Sequence, residues 1–155
     1  MTRRLPGASS PRRRGANLRV QRASRAAHIP PDRTLRTWAF AALERDAEVT
    51  VRYVAETEGR RLNRQYRGKD YATNVLTFVY GKAPLQGDVV ICAPVVAREA
   101  REQGKPVRAH HAHLLVHGLL HLQGMDHERS AAHARRMESR ERAVLAGLGI
   151  GDPYA

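Results

Sequence analysis

Three histidines have a spacing that could hold a metal ion: His117, three residues, His121, then five residues, His127. Side chains four apart on a helix share one face, so His117 and His121 can aim ring nitrogens at a common point. Gly124 lies three residues after His121, where a left-handed glycine can end the helix and turn the chain back, carrying His127 across as a third ligand. The same spacing occurs within the longer metzincin signature, His-Glu-x-x-His-x-x-Gly-x-x-His. Three neutral imidazoles without a fourth protein ligand leave one coordination position open, which is the pattern of a catalytic rather than a structural zinc. Water at such a position can have its pKa lowered to about 7, which suits hydrolysis near neutral pH. Zinc is the first expectation, and imidazoles also suit nickel and copper.

One residue departs from the zincin pattern. Gly118 follows the first histidine where a zincin carries its general-base glutamate, so metal binding is expected and peptide hydrolysis is not. Asp126 and Glu128 flank His127; either could orient an imidazole or take a proton, and either could equally be a helix-start residue. His113, four residues before His117, is expected to pack beside the site or support it from behind, and His110, His111 and His133 are expected to face solvent.

These residues need a helix, and the surrounding chain supplies one from about Arg108 to Gln123, ended by Gly124. Leu18 and Val20 alternate with polar neighbours as a first strand. Pro30 and Pro31 open a helix at its first position, with Asp32 in the first turn, running to about Arg45 and burying Leu35, Trp38, Ala39 and Leu43. Val49, Val51 and Tyr53 read as a second strand, followed by a short helix from about Glu56 to Gln65 and a polar loop, Tyr66 to Asp70. Val75 to Tyr80 and Asp88 to Cys92 read as two strands joined by a turn, after which Pro94 starts a helix reaching about Gln103. A last helix from about Ser130 to Leu148 puts Met137, Val144, Leu145 and Leu148 on one stripe. Strands mixed with helices predict a single-domain α/β sandwich with a small mixed sheet of about four strands, and a metal-binding helix resembling the metzincin zinc helix.

Composition bounds the rest. A chain of 155 residues can bury about 68–70% of the surface its unfolded form exposes, so it needs no staple. Its single cysteine, Cys92, rules out an internal disulfide and an all-cysteine zinc cage, and fits a reducing compartment. No apolar run approaches the ~20 residues of a membrane span. Twenty-seven Lys and Arg against fifteen Asp and Glu give +12, a field attractive to polyanions, of which nucleic acid is the commonest. An arginine-rich proteome would produce the same surplus without a polyanionic partner. Residues 1–16 hold five of the arginines, no acid, and Pro6 and Pro11; they are expected to be a flexible basic tail rather than a presequence helix, leaving +7 on residues 17–155. Two Phe, five Tyr and one Trp give little support for an extended base-stacking platform.

The segment from His117-Gly118-Leu119-Leu120-His121 through Gly124-Met125-Asp126-His127-Glu128 closely resembles the signature of the YbeY endoribonucleases, the rRNA maturation factors. Leu62-Asn63, Tyr66-Arg67-Gly68-Lys69-Asp70 and Thr73-Asn74-Val75-Leu76-Thr77-Phe78 look like that family's second hallmark, and Gly87-Asp88-Val89-Val90-Ile91 like its next strand. Met125 stands where the family usually has tyrosine, the strand after Phe78 lacks a usual proline, and residues 1–16 have no family counterpart. The resemblance implies a cytoplasmic, single-strand-specific, metal-dependent endoribonuclease acting in 16S rRNA 3′-end maturation, ribosome assembly and ribosome quality control. Its partners would be the rRNA of the small ribosomal subunit and ribosome-associated proteins. It places zinc on His117, His121 and His127, and the family's important arginine on Arg67, with His117 also essential.

Residue chemistry agrees with phosphodiester cleavage, because a metal and a guanidinium together stabilise charge gathering on a phosphate. Arg67 can hold two phosphate oxygens where a lysine gives a point charge, and Lys69 with the arginine-rich faces can add salt-sensitive backbone contacts. Asn74 and Asp88 could shape the site or merely cap turns. Two other readings stay open. A metallopeptidase or other metal hydrolase would need a carboxylate near the open coordination position. A non-catalytic ribosome assembly factor would hold a structural zinc with a fourth ligand.

Overall fold

The computed structural model describes residues 15–155, so most of the expected basic tail lies outside the described residues. The chain runs β1 (Asn17–Ala23), α1 (Asp32–Ala42), β2 (Ala47–Val54), α2 (Glu56–Arg67), β3 (Val75–Lys82), β4 (Leu85–Cys92), α3 (Ala93–Gln103), α4 (Val107–Leu122) and α5 (Ala131–Gly147). The elements follow the periodicities of the sequence with shifts at their ends: α1 stops at Ala42 and not about Arg45, and β3 and β4 extend to Lys82 and back to Leu85. α1 begins one residue after Pro31, which is its N-cap. α2 runs through Tyr66 and Arg67, which the sequence had placed in a loop, and ends on Gly68 in the left-handed region at φ 70°. Glycine takes that conformation without the cost a Cβ imposes.

The sheet has the order β1-β2-β4-β3. β1 pairs with β2, and β2 with β4, in parallel, while β3 returns antiparallel to β4 as a hairpin and leaves its other edge free. Because side chains alternate along a strand, Leu18, Val49, Val51, Tyr53, Val89 and Ile91 face one side, where α1, α4 and α5 complete the main core. Val54, Leu76, Val90 and Cys92 face the other side, which Val95 of α3 and Leu62 of α2 cover only in part. The result is an α/β single domain with a four-stranded mixed sheet, and among the described residues five helices. No described helix is long and apolar enough to cross a membrane.

α4 packs against the sheet, α1, α3 and α5. That overturns the expectation for two histidines. His110 and His111 are 3% and 0% exposed, because each lies on a face of α4 that its neighbours cover and finds a partner there. His110 Nε2 lies 2.9 Å from Glu99 Oε1. His111 lies between Tyr53, whose hydroxyl is 3.3 Å from Nδ1, and His28, whose Nδ1 is 2.8 Å from Nε2. His133 is half-buried, its ring 2.6 Å from Ser130, whose hydroxyl caps α5 by accepting the His133 amide hydrogen.

Burial, and then the nearby His28 and His110, push His111 down to about 3. The unfolded imidazole titrates near about 6.5. Above that pH both states are neutral and nothing is gained or lost. Below it the unfolded chain takes up a proton that the fold refuses, so stability falls from about pH 6.5 toward about 3, by up to about 1.4 kcal/mol per pH unit. Urea midpoints measured at about pH 7.5 and 5 should show this fall, and His111→Gln should flatten it. An equal slope in both proteins would assign the effect to another group.

Candidate metal centre

The helix that carries the histidines can approach the sheet only because of Gly118. A Cβ there would meet Val89 Cγ1 at 2.9 Å, with Thr77 and Val75 methyls at 3.4 Å. That is closer than carbon atoms pack. The position that a zincin gives to glutamate is therefore the contact point between α4 and the sheet, and a charged side chain has no room in it. The absence of the peptidase carboxylate is a consequence of how tightly this helix is seated.

His117 and His121 lie one turn apart, and α4 ends as expected just beyond them. Gly124 takes φ 100°, its N–H donates to His121 O at 3.0 Å, and the Met125 N–H donates to Leu120 O at 3.1 Å. Gln123 locks the reversal to the end of α1, donating to Ala42 O and accepting from the Glu44 N–H, both at 2.9 Å. The returning chain brings the His127 ring to 5.1 Å from that of His117, centroid to centroid. Burial first, and then the nearby His117, lower the His121 pKa, which favours the neutral imidazole that ligates metals.

All three histidines line one cavity of about 710 Å³. Arg67, at the end of α2, lines the same cavity together with Tyr66 and with Val75 to Phe78 of β3. Arg67 is exposed and, among the described residues, makes no salt bridge. Its guanidinium is free for a ligand. Asn74 ties the start of β3 in place: its Oδ1 accepts the Val75 N–H at 2.6 Å and its Nδ2 donates to Glu99 Oε1 at 3.0 Å.

Behind the histidines lies a carboxylate that sequence reasoning missed. Glu141 of α5 is fully buried, and its oxygens are 2.9 Å from His113 Nε2 and 2.6 Å from His117 Nδ1. The Tyr154 hydroxyl donates to it as well. Burial by itself would push this carboxyl up; the three hydrogen bonds overcome that and hold it down at about 2. Ionised, it can only accept, so His117 carries its proton on Nδ1 and keeps the Nε2 lone pair for a ligand. Thr77 Oγ1 lies 3.0 Å from His121 Nδ1 and can accept that proton in the same way. A signal for Glu141 did exist, since it sits on the apolar stripe of α5 with Met137, Val144 and Leu145. An acid at a buried helical position requires partners. Tyr154, beyond the last helix, carried no such signal.

The ligand atoms of His113, His117 and Glu141 all lie within 4.8 Å of one another, so this cluster could bind a metal ion. It shares one residue with the predicted set. Asp126, the other predicted helper, is occupied in a turn, its Oδ1 accepting the Glu128 N–H at 2.8 Å. Glu128 itself remains on the cavity wall.

Known proteins match this arrangement over most of the chain. The family model described as Endoribonuclease YbeY matches residues 25–149. A protein of Aromatoleum aromaticum named Endoribonuclease YbeY is 63% identical over 142 residues, covering 89% of this chain and 92% of that protein. One of the same name from Thiobacillus denitrificans is 59% identical over 140 residues, covering 88% and 95%. The solution structure of a Thermotoga maritima protein superposes with a TM-score of 0.59 at 26% identity, over 85% of this chain and 91% of that one.

Proposed function

The chain belongs to the endoribonuclease YbeY family, and on that premise we propose that it cuts single-stranded RNA at a zinc centre held by His117, His121 and His127. The observation that carries this reading is the pairing of Glu141 with His117 Nδ1 and of Thr77 with His121 Nδ1. The Glu141 pairing leaves the His117 Nε2 lone pair for a ligand, and the Thr77 pairing does the same for His121 when the hydroxyl accepts, as outer partners of metal-ligating histidines do. His127, whose ring comes to 5.1 Å from that of His117, would supply the third ligand from the loop. When bound, the ion supplies Lewis-acid stabilisation of the charge that develops on the phosphate. Nickel or copper would suit the same three imidazoles.

The rest of the chemistry belongs to the chain. Arg67, which lines the same cavity and makes no salt bridge among the described residues, binds two phosphate oxygens and steadies the charge that gathers on them as the bond breaks. Glu128 offers an exposed carboxylate on the cavity wall that can accept a proton. β3 is an edge strand, so its outer backbone groups face the cavity instead of another strand. Such groups can hydrogen-bond the edges of unpaired bases, which a duplex has already committed. Taken with the family, these features support rRNA maturation on the small ribosomal subunit, in 16S rRNA 3′-end processing, ribosome assembly and quality control, and a cytoplasmic location.

The cluster of His113, His117 and Glu141 is the competing seat for the metal. Both Glu141 oxygens are engaged in hydrogen bonds there, and an ion would have to displace them. Chelator-stripped protein reloaded with zinc should bind about one ion per chain and cut single-stranded RNA but not a duplex. His121→Ala should lose the ion and His113→Ala should keep it. The reverse pattern would move the metal to the Glu141 cluster. Cleavage of peptides with RNA left intact would replace the nuclease reading by a peptidase.

A further inference from the structure

The eight aromatic residues of the chain are too few to suggest a stacking platform, yet the fold gathers three of them on one surface. Phe78 and Asp88 are directly opposed across the β3–β4 ladder, so their side chains stand on the same face of the sheet. The ladder shifts by one residue between Val79 and Gly81, a bulge that re-aims the residue between them. That residue is Tyr80, and its hydroxyl donates to Asp88 Oδ2 at 2.8 Å. From the other side Tyr66 packs edge-on against Phe78, with ring centroids 5.1 Å apart at 72°.

These rings lead somewhere. Tyr66 and Phe78 line the histidine cavity, whereas Tyr80 lines a second, shallow cavity of about 220 Å³ with Arg19, Glu48, Thr50 and Gln86. That cavity lies on the half of the sheet that α2 and α3 leave uncovered. Tyr66 is 59% exposed and Tyr80 67%, unusual for aromatic rings held in place. The Asp88 bond fixes the Tyr80 ring in advance, which lowers the ordering cost of any ligand that lies on it.

Resting on the RNA reading above, we propose that Tyr66, Phe78 and Tyr80 form a stacking track for unpaired bases flanking the scissile phosphate. The track leads from the histidine cavity onto the open half of the sheet. Charge fits a strand lying with its bases inward. Glu48 and Asp88 on the sheet are acceptors, which suit base amino groups, and the Arg19 guanidinium in the same cavity can stack on a base or donate to it. Arg67 and Lys69 at one end, with Lys82 at the other, are exposed cations for the backbone. Every base has a π-face, so the track reads strandedness and not sequence, and bases stacked inside a duplex cannot use it.

The test compares a short RNA that spans only the cut with a long one of about 12 nucleotides, using zinc-loaded full-length protein. Wild type should show a lower KM for the long RNA. Tyr80→Ala should shrink that length advantage about tenfold, the fold-change of one lost base stack, and Tyr80→Trp should restore it. Abasic sugars at the flanking positions should reproduce the loss in wild type and add little to Tyr80→Ala. A full length advantage in Tyr80→Ala, or equal binding of abasic and normal flanks, would overturn the track while leaving RNA cleavage intact. If wild type cuts no RNA of either length, the nuclease reading falls and the track with it.

Discussion

Arg67→Glu should lower kcat/KM on single-stranded RNA by at least about 10³-fold, because it removes a phosphate-binding cation and puts a like charge against the substrate. The change should be invisible to the fold. Arg67 is exposed and among the described residues makes no salt bridge, so stability should stay within about 0.5 kcal/mol. Metal content should also stay at wild-type level, since Arg67 is not among the proposed ligands. Arg67→Lys separates charge from geometry. If holding two oxygens matters, lysine should recover only part of the loss, with a rate between those of wild type and the glutamate variant. Single-turnover cleavage with metal analysis of the same samples decides the matter. Wild-type cutting by Arg67→Glu would remove this arginine from the mechanism.

Glu141 gives the second large effect, and its two substitutions report different things. Glu141→Ala strips a buried carboxylate from His113, His117 and Tyr154 and leaves a cavity, which should cost about 3–5 kcal/mol. For a domain of this size that is a fall in melting temperature on the order of 10 °C. Glu141→Gln keeps the volume but can donate. A donated hydrogen bond to His117 Nδ1 favours the tautomer with its proton on Nε2, the atom meant for the metal. Zinc affinity should then drop about 10- to 100-fold while most of the stability remains. Unchanged zinc affinity in Glu141→Gln would end the orienting role. Complete loss of the ion there, with His121→Ala still loaded, would make Glu141 a direct ligand.

The two substitutions separate what local pattern revealed from what it hid. His117, His121 and the glycine turn before His127 were legible because helical periodicity and a breaking glycine act over a few residues, and each imposes its geometry wherever the rest of the chain goes. The same holds for the alternation of Leu18 with Val20, and of Val49, Val51 and Tyr53, that marked the first two strands. Arg67 came from a sequence block that resembles a known family. Its place on the wall of the histidine cavity goes with an α2 that ends two residues later than its residues suggested.

Partnerships between distant residues were out of reach. Glu141 lies 24 residues from His117 and Thr77 lies 44 from His121, and nothing in either local pattern names the other. His110 and His111 were misjudged for the same reason. A polar ring on a helix reads as solvent-facing until packing covers its face of the helix and supplies Glu99, His28 and Tyr53 as partners. The number of aromatic residues could not show where their rings lie: Tyr66 meets Phe78, and Tyr80 meets Asp88, only through the fold. Short-range rules of the chain therefore specified the candidate ligands and the elements that carry them. Which atom of each imidazole holds the proton, and what stands behind it, arose from contacts between elements far apart in the chain, where burial makes a missing partner costly.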